Sequence, residues 1–160
     1  MPKAIINDTH LTFSADTKII TQDMVRPYQN TVTHITIPEG VKAINEDAFC
    51  SFDKLIAVDL PDSLTTIGAW AFGGCTRLTS ITFPATARLT TIEDGAFWDC
   101  TGMPSITFPD SLTTIDLWAF RGCTGLTSVT FPATARLTTI REGAFYGCSG
   151  LTHLTFPDRL

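Results

Sequence analysis

Long apolar runs are missing from these 160 residues. None approaches the ~20 residues needed to cross a bilayer, which excludes a membrane-spanning helix. Basic residues are few, 11 against 16 acidic for a formal charge of −5, and they do not cluster. Nucleic acid and anionic membrane are therefore poor partners. The opening residues, MPKAIINDTH, hold one Lys and no apolar core, so they do not read as a signal peptide. That points to an intracellular protein. A mature secreted chain reads the same way, and localisation stays open.

Catalytic signatures are missing too. There is no H-E-x-x-H, G-x-S-x-G, P-loop or G-x-G-x-x-G. The three histidines are His10, His34 and His153. His34 and His153 fall in the same slot of a repeat, five units apart, so they cannot share a metal. Asp62, Asp110 and Asp158 each follow a Pro and read as turn formers. No enzyme activity, cofactor or metal is expected. Five cysteines are present, none in a C-x-x-C or Cys/His spacing that suits zinc. Four of them, Cys75, Cys100, Cys123 and Cys148, share one repeated slot. Stacked side chains point in parallel, which suits free core thiols better than the ~90° dihedral of a disulfide.

What the chain does have is repetition. The stretch LTTIGAWAFGGC (64–75) returns as LTTIEDGAFWDC (89–100), LTTIDLWAFRGC (112–123) and LTTIREGAFYGC (137–148). The Phe of Ala-Phe recurs at Phe49, Phe72, Phe97, Phe120 and Phe145, spaced 23, 25, 23 and 25. The two-residue difference lies in one loop, FPDSLTTI in the short form and FPATARLTTI in the long. The larger unit is thus a pair of 48 residues, and 61–108 matches 109–156 at 34 positions. Duplication of a pair is the simplest origin.

Each unit carries two apolar patterns. LTSITFP (78–84) and its copies alternate as a strand does. Leu78, Ile81 and Phe83 are expected to face inward, and Thr79, Ser80 and Thr82 outward. Pro then ends the ladder, having no N–H to give. LTTI allows a brief extended segment, and the Ala-Phe stretch has room for one or two helical turns. A single unit of this size cannot bury both patterns, so stacking is required. The expected fold is an α/β solenoid. It is a right-handed leucine-rich-repeat superhelix with a parallel β-sheet on one face and short helical or 3₁₀ turns on the other. Residues 1–31 read as a strand-rich N-terminal cap and 32–160 as repeats without a C-terminal cap.

The motif L-x-x-I-x-x-x-A-F-x-x-C-x-x-L-x-x-I-x-x-P over roughly residues 32–160 resembles the BspA-like, treponemal type of leucine-rich repeat. The usual Asn of other leucine-rich repeats is absent, which sets this type apart. The resemblance implies a bacterial or protist surface or secreted protein that engages host matrix proteins or cells in adhesion or virulence. A protein partner is therefore the expectation.

Three surfaces are candidates for binding. The first is the outer sheet face: Thr36, Asp59, Ser80, Thr82, Ser105, Thr107, Ser128, Thr130, His153 and Thr155. It lacks the Tyr, Trp and Arg of typical hot spots, so a plain solvent-facing sheet is the competing reading. The second is an aromatic track of Trp70, Trp98, Trp118 and Tyr146. Here the large aromatic alternates between two before and one after the Phe, positions that share a face on a helical turn. Either each Trp covers the Gly of its neighbour, or the track is a partner-binding stripe. The third is the last unit, Leu154, Phe156 and Leu160, where an exposed end invites self-association into a homo-oligomer.

Overall fold

The computed structural model describes residues 3–158 and 160. Residues 1 and 2 of the expected cap, and Arg159, lie outside the described residues. The chain winds as a solenoid whose coils meet along three ladders.

The first ladder holds the strand pattern. It contains β1 (Ala4–Asn7), β2 (His10–Phe13), β4 (His34–Thr36), β6 (Ala57–Asp59) and β8 (Ser80–Thr82), in that order. β1 runs antiparallel to β2, and every later pair is parallel. Two further strands, β10 (Ser105–Thr107) and β12 (Ser128–Thr130), form a separate parallel pair. The second ladder is built from the LTTI segments, two residues each. It joins β3 (Ile19–Ile20), β5 (Ala43–Ile44), β7 (Thr66–Ile67), β9 (Thr91–Ile92), β11 (Thr114–Ile115) and β13 (Thr139–Ile140) without interruption. These six strands mark six coils. The first coil comes from the lead-in, whose β2 and β3 pair in register with β4 and β5.

The Ala-Phe segments form the third ladder, and here the structure departs from the sequence expectation. Among the described residues, helix is confined to α1 (Gln22–Val25) and the 3₁₀ turn Arg26–Tyr28. In the repeats, turns closed locally alternate with bonds to the next coil. Phe72 N–H donates to Ala96 C=O (2.8 Å), Trp70 N–H to Asp94 C=O (2.9 Å) and Gly74 N–H to Trp98 C=O (2.7 Å). Between them, Ala71 and Gly73 N–H close turns onto Gly68 and Trp70 C=O. A helix would turn all these donors along one axis. The stack instead places acceptors of the next coil beside them, and every second donor swings outward.

That swing requires left-handed backbone two residues before and two after each Phe. The first position is occupied by Asp47, Trp70, Gly95, Trp118 and Gly143, all at φ between 51° and 65°. The second is occupied by Ser51, Gly74, Asp99, Gly122 and Gly147. Glycine takes this conformation freely; a bulky residue such as Trp is strained there.

The core runs along the axis. Phe49, Phe72, Phe97 and Phe120 are fully buried and stack with Phe145, ring centres 5.0–5.3 Å apart and planes within 14°. Fully burying one such ring contributes roughly 1.5–3 kcal/mol. The four slot cysteines are free and buried, as the parallel-stacking argument anticipates. Each thiol donates to the Phe carbonyl of the preceding coil: Cys75 to Phe49, Cys100 to Phe72, Cys123 to Phe97 and Cys148 to Phe120, at 3.0–3.2 Å. Burial pushes the Cys75 and Cys100 thiols up, since a thiolate there would lose its water.

Candidate functional site

The outer sheet residues do not belong to one hydrogen-bonded sheet. Thr36, Asp59, Ser80 and Thr82 lie in the five-stranded sheet; Ser105, Thr107, Ser128 and Thr130 lie in the two-stranded one. His153 and Thr155 are exposed but belong to no strand, which corrects the expected strand at 151–157. The break between β8 and β10 opens a crevice of about 430 Å³, and a related one of about 330 Å³ follows β12. Where strands pair, Phe108 N–H donates to Thr130 C=O (3.0 Å) and Leu60 N–H to Thr82 C=O (3.2 Å). No such bond joins Phe83 to Thr107. The inward ring of Phe83 stands 6.5 Å from Phe108, whereas Phe108 and Phe131 are 5.1 Å apart. His10 Nε2 meets Thr36 Oγ1 at 2.8 Å at the other end of the sheet. Among the described residues no group of three or more His, Cys, Asp or Glu is placed to hold a metal. No helix there is long and apolar enough to cross a membrane.

The three tryptophans of the aromatic track are in contact. The rings of Trp70 and Trp98 are 4.7 Å apart, and Trp98 meets Trp118 edge-on at 6.0 Å. The alternation of position follows from the left-handed site before the Phe. Trp70 occupies that site, and its ring lies against the backbone of Gly95 in the next coil. A Cβ on Gly95 would stand 2.9 Å from Trp70 Cε2. Gly143 has the same relation to Trp118, where a Cβ would stand 2.6 Å from Nε1. A coil that holds Gly before the Phe carries its own aromatic after it: Trp98, beside the rings of Trp70 and Trp118, and Tyr146, beside the guanidinium of Arg121.

Sequence reasoning passed over Arg121, which completes this surface. It occupies the position after the Phe, between Trp98 and Tyr146 of the flanking coils. Its guanidinium sits 4.3 Å from the Trp98 ring centre, 5.3 Å from Tyr146 and 6.0 Å from Trp118. Such stacking holds the side chain extended while leaving its edge donors free. The available signal was its place in the column, read down the repeats as Cys50, Gly73, Trp98, Arg121 and Tyr146. Exposure rises along the track. Trp70 and Trp98 are half-buried, Trp118 is 39% exposed and Tyr146 66%. Beside it, Asp94 Oδ1 is buried without a hydrogen-bond partner. Desolvation, then the nearby Asp116, raises that carboxyl above its usual range. In the last coil, Leu154 is half-buried, and Phe156 and Leu160 are 43% and 49% exposed.

Stacked coils, parallel ladders on two sides and an Ala-Phe-x-x-Cys spine define a leucine-rich-repeat solenoid. More narrowly, the chain belongs to the BspA-type leucine-rich-repeat family, whose model matches in six copies over residues 27–136 and 90–160. No curated protein sequence matches it. Among solved structures it is similar to a leucine-rich cell surface protein of Faecalibacterium prausnitzii. That match has a TM-score of 0.69 at 22% identity, over 93% of this chain and 51% of the other. It is also similar to the leucine-rich repeat protein of T. pallidum, with a TM-score of 0.60 at 23% identity, over 93% and 76% of the two chains. The pneumococcal vaccine antigen PcpA matches with a TM-score of 0.54 at 19% identity, over 89% and 48%. At these identities the likeness is one of fold. The chain spans about half the length of the Faecalibacterium protein.

Proposed function

We propose that this chain is a protein-interaction module of a surface or secreted protein. Its partner is a host matrix or cell-surface protein, engaged through Trp118, Arg121 and Tyr146. The observation that carries this reading is the exposed end of the aromatic track. There an Arg is held between rings, and Trp, Tyr and Arg are the residue types that dominate interface energies. The flat Thr/Ser sheet offers none of them. Family membership and the surface location of the Faecalibacterium protein support an extracellular role. The test is binding to an array of matrix proteins by the wild type and by Trp118→Ala, Arg121→Ala and Tyr146→Ala, each checked for unchanged melting. Loss of about tenfold or more in affinity at two of the three positions is expected. Equal binding by all three, with loss at Thr82→Ala or Thr107→Ala, would move the interface to the sheet.

Self-association through the last coil is a second reading, favoured by the exposed Phe156 and Leu160. A dimer mass in light scattering that Phe156→Glu abolishes would support it.

A further inference from the structure

The alternation of loop lengths builds a second feature away from the aromatic track. The long loops 84–88 and 132–136 take the same turn. Ala87 N–H bonds to Pro84 C=O and Ala135 N–H to Pro132 C=O, at 3.0 and 2.9 Å. The coil between them has the short loop, so its Asp110 and Ser111 lie at the floor of a recess walled by the two long loops. The recess measures about 760 Å³.

Arg88 and Arg136 stand on the two walls in equivalent places. The N–H of each bonds to the carbonyl of the Asp that opens the preceding short loop, Asp62 or Asp110, at 3.0 Å. Both side chains are exposed, and among the described residues neither makes an ion pair or a side-chain hydrogen bond. The hydroxyls lining the recess have their protons committed inward. Thr134 donates to Asp110, Thr86 to Asp62 and Ser111 to Leu89 C=O; Thr90 and Thr113 donate to the backbone of the preceding coil. They therefore present lone pairs outward. The recess thus offers two guanidinium forks for anions, and between them a floor of acceptors that includes the Asp110 carboxylate, so anionic groups are confined to the arginines and neutral donors to the floor.

We propose that this recess binds a linear acidic polysaccharide, with carboxylate or sulfate groups on the two arginines and sugar hydroxyls donating to the Thr and Ser oxygens. Spacing favours a sugar chain over an acidic peptide. Equivalent residues two coils apart are separated by roughly 10 Å, taking the interstrand distance per coil. An extended peptide repeats its same-face side chains at roughly 6.8 Å or twice that. A polysaccharide with one acidic group per disaccharide repeats its charge near the required distance, and its hydroxyls supply the donors in between. Guanidinium forks match carboxylate and sulfate alike.

The test is calorimetric titration of the folded chain with a hyaluronan octasaccharide (carboxylate), a heparin oligosaccharide (sulfate), a neutral cello-oligosaccharide and poly-L-glutamate. Binding of hyaluronan or heparin, weakened roughly tenfold or more by Arg88→Gln and by Arg136→Gln, is the expected result. Salt should weaken it and the neutral sugar should fail to bind. The Trp118, Arg121 and Tyr146 variants should bind the polysaccharide as the wild type does, which separates this site from the proposed protein interface. Three results would each overturn the proposal: no binding of either acidic sugar, binding indifferent to both arginines, or tighter binding of poly-L-glutamate.

Discussion

Gly95→Ala probes the contact that explains the moving aromatic. Gly95 sits at φ +58°, where an added Cβ meets the Trp70 ring at 2.9 Å. Two costs follow. A left-handed L-residue costs roughly 1–2 kcal/mol. Forcing a packed ring aside costs roughly 1–3 kcal/mol more. The wild-type background should therefore lose about 3.5 kcal/mol, the sum of those central values. In a Trp70→Gly background the ring is gone and only the backbone cost remains, roughly 1–2 kcal/mol. A double-mutant cycle isolates the difference as a coupling of roughly 1–3 kcal/mol. Urea unfolding of the four proteins, with reversibility checked and m-values compared, measures it. Equal losses in the two backgrounds would refute the contact and leave the alternation without a packing cause.

Three further outcomes are expected. A thiol reagent should titrate Cys50 in the native protein and all five cysteines after denaturation. Cys75 and Cys100 are protonated more readily folded than unfolded. Their contribution is whole below the unfolded thiol value of about 8.5 and is lost as pH rises past it, so the melting temperature should fall there. Replacing Ala85–Arg88 by Asp-Ser, the short-loop sequence, should pair β8 with β10. Slower exchange of the Phe83 and Thr107 amides would report the new bonds, and unchanged exchange would refute this.

The strand pattern was legible because its inward and outward sides differ in chemistry: Val58 and Ile106 are buried, and Ser80 and Thr107 exposed. The register was legible because Phe, Ala and Cys recur at fixed places. The Ala-Phe segments were read as helical because their length suits a turn or two of helix and their aromatics fall three apart. What opposes a helix is the neighbouring coil, whose carbonyls compete for every second N–H, and a single repeat carries no information about that neighbour. Its trace was present in the glycines. Gly95 and Gly143 before the Phe, and Gly74, Gly122 and Gly147 after it, all have positive φ. Trp70 and Trp118 hid that column, since nothing in a Trp announces a left-handed backbone. Arg121 was visible only as a member of a column, and its role depends on rings that belong to other coils.

The gap in the sheet has two possible causes, and the repeat separates them. Pro104 heads β10 and lacks the N–H that Thr79 and Thr127 donate to the coil before, at 2.9 Å each. That accounts for one missing bond at β8. The second gap, after β12, has Thr152 in the same place, so proline is not the common factor. Both gaps follow a 25-residue turn, Ser80 to Ser105 and Ser128 to His153. The 23-residue turns from Ala57 to Ser80 and from Ser105 to Ser128 pair in register. The LTTI ladder spans turns of both lengths unbroken, pairing Thr66 with Thr91 and Thr91 with Thr114. The slack of two residues is therefore absorbed on the strand side alone. The same insertion raises the walls that carry Arg88 and Arg136. A device made from a difference between adjacent coils needs two coils to encode it, so the pair of 48 residues, rather than the single repeat, is the smallest unit that can carry it.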